Sequence, residues 1–293
     1  MELRDIEIFL TLAEELHFGR TAERLHLTSA RVSQAIQKQE RAIGARLFER
    51  TSRVVLLTAA GERLRDDLLP AHRDLSEAIE RAKLHARGKH HVLRVGLIPA
   101  NVRELRPYFD AFTARHPHCE LRLRHNPFVD AFGPLRRGEI DVLVSWLPVE
   151  EHDLTVGPVI FTESRVLAVA ADHALLGAVS MEALGDHRYA TDPHQPEYWQ
   201  DSFLPFRTPR GRPLTRAGAV TTMDELNTLI GTGNSAALLG RHAARYYARP
   251  DISYVPVSDA PTLRWGLVWR RDAETAPLRD FAQTVQAIGP RPL

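Results

Sequence analysis

Residues 28–44 read TSARVSQAIQKQERAIG, and this stretch decides how the first part of the chain folds. Thr28 suits a helix N-cap, because its hydroxyl can accept a backbone N–H from the first turn. Gly44 can close the same helix in a left-handed C-cap. Between them Val32, Ile36 and Ile43 recur at helical spacing and predict one buried face. The opposite face carries Arg31, Ser33, Gln34, Gln37, Lys38 and Arg41. It is basic, and its side chains can hydrogen-bond both phosphates and base edges. A solvated amphipathic helix has the same pattern, so the flanking sequence decides between the two.

Upstream, Leu3, Ile6, Phe9, Leu10, Ala13 and Leu16 predict a helix over 3–16, ended by Phe18-Gly19. A second short helix follows over 20–25, and His26-Leu27 forms the turn before Thr28. Three short helices with a tight turn before the third make a helix-turn-helix. Downstream, 47–50 and 54–57 read as short strands joined by a turn at 51–53, a wing whose tip offers Arg50, Thr51, Ser52 and Arg53 to a phosphate backbone or minor groove. From Arg31 to Arg53 the acids are Glu40 and Glu49, against Arg31, Lys38, Arg41, Arg46, Arg50 and Arg53. A basic helix followed by a basic wing favours DNA over a merely solvated face.

Residues 1–60 as a whole resemble the DNA-binding domain of the LysR-type transcriptional regulators. The resemblance is carried by FLTLAEELHFGRTAERLHLT, the VSQAI core, IGARLFER and LTAAG. It implies base contacts from Thr28, Ser29, Arg31, Ser33, Gln34 and Gln37, and backbone contacts from Arg50 and Arg53. There are departures. Ser29-Ala30 stands where the family usually has Gln-Pro, which removes a base-reading amide, and Arg31 stands where Ala is common and can reach guanine instead. Gln39 stands where Leu is usual, and its amide must find a partner or face solvent.

Thr58 caps a long helix over 58–88 with an apolar stripe of Leu64, Leu68, Ala71, Leu75, Ile79 and Ala82, interrupted by Pro70. So narrow a stripe on so long a helix calls for a partner, usually a second copy of itself. In the resembling family this is the linker helix that pairs subunits. From 89 to 293 strands and helices alternate, an α/β pattern. Here GLIPANVREL, RRGEIDVLVSW and the spacing of elements resemble the family's effector domain, two α/β lobes like a periplasmic binding protein. Family topology places lobe one at 90–161 and 264–293 and lobe two at 163–262, with crossings near Phe161-Thr162 and Thr262-Leu263. Ligands of open α/β sheets sit beyond the carboxyl ends of strands. That rule selects Pro99, Ala100 and Asn101 after the first strand, Phe128 after the second, Trp146 after the third, and Thr191, Thr222 and Met223 in lobe two. Phe128 and Trp146 suggest aromatic walls for a planar or apolar metabolite, though both can equally be ordinary core.

Bulk properties limit the alternatives. The chain has 293 residues, 26% of them charged, and a net charge of +1, so any basic surface is local. Cys119 is the only cysteine, which excludes an internal disulfide and a cysteine zinc cage and fits a cytoplasmic location. The start MELRDIEIF has acids where a signal peptide needs a basic and then apolar run. No window approaches the roughly 18 apolar residues of a membrane span. G-x-S-x-G, H-E-x-x-H, P-loop and G-x-G-x-x-G motifs are absent, so no catalytic, metal or resident cofactor site is expected.

The fold class expected is therefore α+β multidomain: an N-terminal winged helix-turn-helix, a linker helix for dimerisation and a two-lobed α/β effector domain over 89–293. The function expected is a sequence-specific transcriptional regulator, a homodimer or homotetramer on a double-stranded DNA operator. Its effector would be a small molecule, and RNA polymerase is a further partner the resemblance allows. The competing possibility is a cytoplasmic small-molecule-binding or enzymatic α/β protein whose N-terminal helices only dimerise it.

Overall fold

The computed structural model describes residues 2–50, 55–99, 101–173, 177–191, 195–216 and 218–293. It divides into two compact units, Met1–Gly88 and Lys89–Leu293.

The first unit is built on α1 (Leu3–Glu15), α2 (Phe18–Arg24), α3 (Ser29–Ile43), the hairpin β1 (Phe48–Arg50) and β2 (Val55–Leu57), and α4 (Ala59–Ala86). Ile8, Phe9 and Leu12 of α1 pack on Ala22 of α2, on Val32, Ala35 and Ile36 of α3, and on Leu47 and Phe48. Gln39, at the position where Leu was the usual residue, is also buried. Its Nε2 donates to the Asp5 carbonyl at 2.9 Å, while its Oε1 has no partner among the described residues. Two local expectations change. Phe18 and Gly19 do not break the chain but form the first turn of α2, because His17 caps it through Nδ1, which accepts from Arg20 N at 3.1 Å. Ile43 lies in the last turn of α3 and is 42% exposed, since the core ends at Gln39 and the helix runs beyond it.

The loop between α3 and β1 is held by polar contacts. Glu40 accepts from the backbone N–H groups of Leu47 and Phe48 at 3.0 and 3.3 Å. Thr58 donates its hydroxyl to the Arg46 carbonyl at 2.7 Å and caps α4 by accepting from Gly61 N at 3.0 Å. α4 then runs 28 residues through Pro70, with Leu69, Leu75 and Ile79 exposed.

Among the described residues the second unit has a six-stranded sheet, a three-stranded sheet and a short two-stranded pair. β3 (His91–Leu97), β4 (Cys119–His125), β5 (Val142–Trp146), β6 (Leu154–Glu163), β12 (Leu263–Arg270) and β13 (Arg291–Pro292) form one sheet in the order β13-β6-β12-β5-β3-β4. β3 pairs in parallel with β4 and β5, whereas β12 is antiparallel to β5 and β6. α5 (Val102–Arg115) and α10 (Ala276–Ile288) pack together through Phe109, Phe112 and Phe281. The other lobe holds β7 (Arg165–Ala170), flanked by antiparallel β10 (Ala237–Gly240) and β11 (Ile252–Pro256), and the short parallel pair β8 (Arg188–Tyr189) and β9 (Thr215–Arg216). Its helices are α7 (Glu197–Phe203), α8 (Met223–Gly231) and α9 (Ala243–Tyr246); α6 (Gly133–Arg136) belongs to the first lobe. The chain passes from one sheet to the other at Ser164, and returns between Pro256 and Leu263.

Gly61 supplies a test of the first unit. A Cβ there would lie 2.1 Å from the Leu47 carbonyl oxygen, backbone that α4 and the hairpin hold in place. Gly61→Ala should therefore destabilise the unit by about 1–3 kcal/mol, seen as a lower midpoint in urea melts followed by circular dichroism. An unchanged midpoint would contradict this close approach.

Candidate functional site

Two sites emerge, one in each unit. In the first, α3 turns one face outward. Thr28, Ser29, Arg31, Gln34, Gln37, Lys38 and Arg41 are exposed, and Ser33 is half-buried. Thr28 Oγ1 accepts from Arg31 N at 3.2 Å, and Gly44 ends the helix at φ 78°. The start of α3 is therefore free of covering structure within its own unit, with the positive end of the helix presented beside Arg31. Arg46, which sequence reasoning did not select, is also exposed, and with Gln37, Glu40, Arg41 and Gly44 it lines a concave surface at the end of α3. Of the wing, Arg50 ends β1, while Thr51, Ser52 and Arg53 lie outside the described residues.

The second site lies where the lobes meet. β4 and β5 flank β3, so the strand order reverses there, and the crevice beyond the ends of β3 and β5 is the natural ligand position. A cavity of about 140 Å³ opens there. Pro99, Phe128, Trp146, Thr191 and Met223 line it. Two other expected residues do not. Asn101 is fully buried at the head of α5, off the cavity wall, and neither amide atom has a partner among the described residues. Thr222 is an exposed cap of α8, its hydroxyl used by Glu225 N at 3.1 Å. Ala100 lies outside the described residues.

The aromatic wall is largely filled from within. Trp199 of α7, fully buried, stacks on Trp146 with ring centroids 3.6 Å apart and planes 10° apart. Phe203 leans on the same indole at 4.6 Å. α7 thus belongs by sequence to the second lobe and by packing to the first. Tyr198 ties it down: its hydroxyl donates to Glu151 at 2.9 Å and accepts from Glu150 N at 3.1 Å. Glu151 is in turn held by Arg136, whose guanidinium forks onto Asp153 at 2.8 and 2.9 Å. Val220 is irregular chain that lines the cavity, and the strand pairing in this region is made by Thr215 and Arg216.

Charge is arranged unevenly around this cavity. Glu163 is buried and accepts from Trp265 Nε1 at 2.6 Å and His242 N at 2.8 Å, with His242 Nδ1 at 2.9 Å. Arg165 is buried two residues on; it donates to the Phe203 and Leu238 carbonyls, and burial pushes it down to about 10. Arg216 donates to Gln200 Oε1 at 3.3 Å and to the Leu204 carbonyl, lies 4.2 Å over the Phe206 ring, and is also lowered by burial. Among the described residues the Nε atoms of both arginines lack an acceptor. Neither Arg216 nor Trp199 carried a sequence signal, because each is defined by contacts distant in the chain.

A winged helix-turn-helix with an open polar face, followed by a two-lobed domain with an interlobe cavity, defines a ligand-responsive DNA-binding regulator. Residues 3–62 match the bacterial regulatory helix-turn-helix proteins of the lysR family, and residues 86–289 match the LysR substrate binding domain. The HTH-type transcriptional regulator AlsR of Bacillus subtilis is 27% identical over 96% of this chain and 94% of its own length. The HTH-type transcriptional regulator YnfL of Escherichia coli is 31% identical over 94% of this chain and 95% of its own. Among solved structures, the LysR family regulator CbnR has the same fold, with a TM-score of 0.69 at 20% identity over 98% of this chain and 99% of CbnR. The chain belongs to the LysR family, as a helix-turn-helix transcriptional regulator with an effector-binding domain. Its family is one of regulators rather than enzymes, and among the described residues no helix is long and apolar enough to cross a membrane.

The clamp on α7 has a defined response to acid. The bidentate Arg136 guanidinium holds the Asp153 carboxyl at about 2, below its ordinary value near 3.8. A depressed carboxyl contributes stability that is present above the unfolded value and lost as pH falls through the folded one. Melting temperatures of the wild type should therefore fall between pH 4 and 2 more steeply than those of Asp153→Asn. Parallel profiles would remove the clamp from the account.

Proposed function

We propose that the protein binds a two-fold related operator as a dimer or tetramer in the cytoplasm. α3 lies in the major groove, and the wing lies on the flanking backbone. The observation that carries this reading is the exposed row of Thr28, Ser29, Arg31, Gln34 and Gln37 on a helix whose other face is locked into the core by Val32, Ala35 and Ile36. Pairing of subunits through α4 is supported by its length and by the exposed Leu69, Leu75 and Ile79. The CbnR fold has also been solved in complex with target DNA. A small molecule in the interlobe cavity changes the relation of the lobes, and through paired subunits the angle or spacing of the DNA-binding heads. RNA polymerase is the partner that would read this change.

Base reading is assigned to Arg31, Ser33, Gln34 and Gln37, with Thr28 and Ser29 at the helix start. Positioning is assigned to Arg50, Thr51, Ser52 and Arg53. The division has a measurable signature in gel shifts at several salt concentrations. Arg53→Ala should weaken binding to every duplex and reduce the salt slope by about one. Arg31→Ala should weaken the preferred operator most, by about 1–3 kcal/mol, and alter the preference among base substitutions. Equal effects of both substitutions on all sequences would refute the assignment.

A further inference from the structure

The seven residues of α7 lead from the core of one lobe to the core of the other. Trp199 lies in the core of lobe one, and Tyr198 packs against that core. Phe203 touches both cores, and Leu204, the C-cap, lies in the core of lobe two. A helix this short has little stability of its own, so its packing holds it. Any change in the relation of the lobes must then draw one end of α7 out of its place.

The two ends are held differently. At the lobe-two end Arg165 donates to the Phe203 carbonyl, and Arg216 donates to the Leu204 carbonyl and to Gln200 Oε1 at 3.3 Å. The Arg165 guanidinium also lies 4.6 Å from the centre of the Phe203 ring. Arg165 is buried and Arg216 half-buried, so release here strands charged donors away from water. At the lobe-one end the Tyr198 hydroxyl bonds Glu151 and Glu150 N, Gln195 Nε2 donates to the Phe128 carbonyl at 2.9 Å, and Trp199 Nε1 donates to the Trp146 carbonyl at 3.4 Å. Glu151 keeps Arg136 when Tyr198 leaves, and Glu150 is exposed, so its N–H can turn to water. The indole stack then parts by exposing apolar surface and no bare charge. The lobe-one end is therefore the one that gives.

We infer that α7 is a latch: anchored in lobe two by Arg165 and Arg216, it joins the lobes by seating Trp199 on Trp146, and the effector domain switches by withdrawing that end. This rests on the reading of the C-terminal unit as a two-lobed domain whose lobes move, and it names the part that releases. Trp146 is the last residue of β5, and one face of its indole is taken by the chain's own Trp199, so the latch is shut without any ligand.

Tyr198→Phe separates a latch from ordinary core, because it keeps the ring and removes two lobe-one hydrogen bonds. Amide exchange of the full chain is followed by mass spectrometry, together with the exciton band that the Trp146–Trp199 stack gives in circular dichroism. In the wild type α7 should exchange as a group ahead of β5 and β7. Tyr198→Phe should speed that group about tenfold, leave β5 and β7 unchanged, and weaken the band. Gln195→Ala, which removes the separate tie to Phe128, should act in the same direction and serves if Tyr198→Phe fails to fold. Equal acceleration of α7, β5 and β7, or none at all, would make α7 ordinary core and overturn the latch. Faster α7 exchange with a full-strength band would put the release at the lobe-two end and overturn the anchor. The switching role is read from the bend each protein imposes on one operator fragment, with no ligand added. Tyr198→Phe should change that bend, and an identical bend would overturn the role. Failure of the wild type to prefer an operator would refute the regulator reading alone, since exchange and dichroism decide the latch without DNA.

Discussion

Glu163 is a buried carboxylate at the last residue of β6, and the effector domain is arranged to satisfy it. A charge so placed is tolerated only with good partners. It has them from both lobes: Trp265 Nε1 on β12, and the backbone N–H and ring of His242 beyond β10. Gly240 is small because it must be, since a Cβ there would sit 2.2 Å from Glu163 Oε1. The contact holds the crossing strand, one wall of the cavity and the entry to α9 in register. Trp265 then stacks on Phe161 at 5.3 Å and meets Trp146 edge-on at 5.9 Å. Trp146 in turn receives Trp199. The aromatic interior is thus a chain of contacts that begins at one carboxylate, and any rearrangement of the lobes must act on that chain.

The DNA-binding unit follows the same logic with cheaper parts. One of the two acids in its basic stretch, Glu40, spends its carboxylate on the N–H groups of Leu47 and Phe48. Thr58 spends its hydroxyl on Arg46 and on the first turn of α4. These contacts aim the hairpin relative to α3 without drawing on the outward side chains of the helix. Arg31, Gln34 and Gln37 are left to hydrogen-bond elsewhere, which is what a reading surface needs.

Much of this was legible in the sequence, for reasons that differ between the two units. α3 announced both of its ends, since Thr28 and Gly44 act through local backbone chemistry, and its inward face followed from Val32 and Ile36. β3 and β5 showed as apolar runs, and the strand-end rule led directly to Pro99 and Trp146. The failures share a cause. α7 is seven residues long and opens after a proline, too short to display a helical period, so nothing in the sequence singles out Trp199. β11 is a five-residue strand with polar and proline positions, which give no clear strand signal in the sequence. Asn101 and Thr222 sit where the rule points, but one is sealed into the helix head and the other is consumed as a cap. Arg216 is the last of four arginines between 207 and 216, nothing in the sequence sets it apart from Arg207, Arg210 and Arg212, and only packing gives it a place on the cavity wall.

The central claim is that an outward-facing α3 reads DNA as one half of a symmetric pair. The most direct measurement is a footprint of the full chain on the DNA upstream of its own and neighbouring genes, with random duplex as competitor. The account predicts protection of two related half-sites on one face of the duplex, with centres about 34–36 Å apart or a multiple of that spacing. Protection indistinguishable from that of random duplex, or of a single unrelated segment, would contradict it.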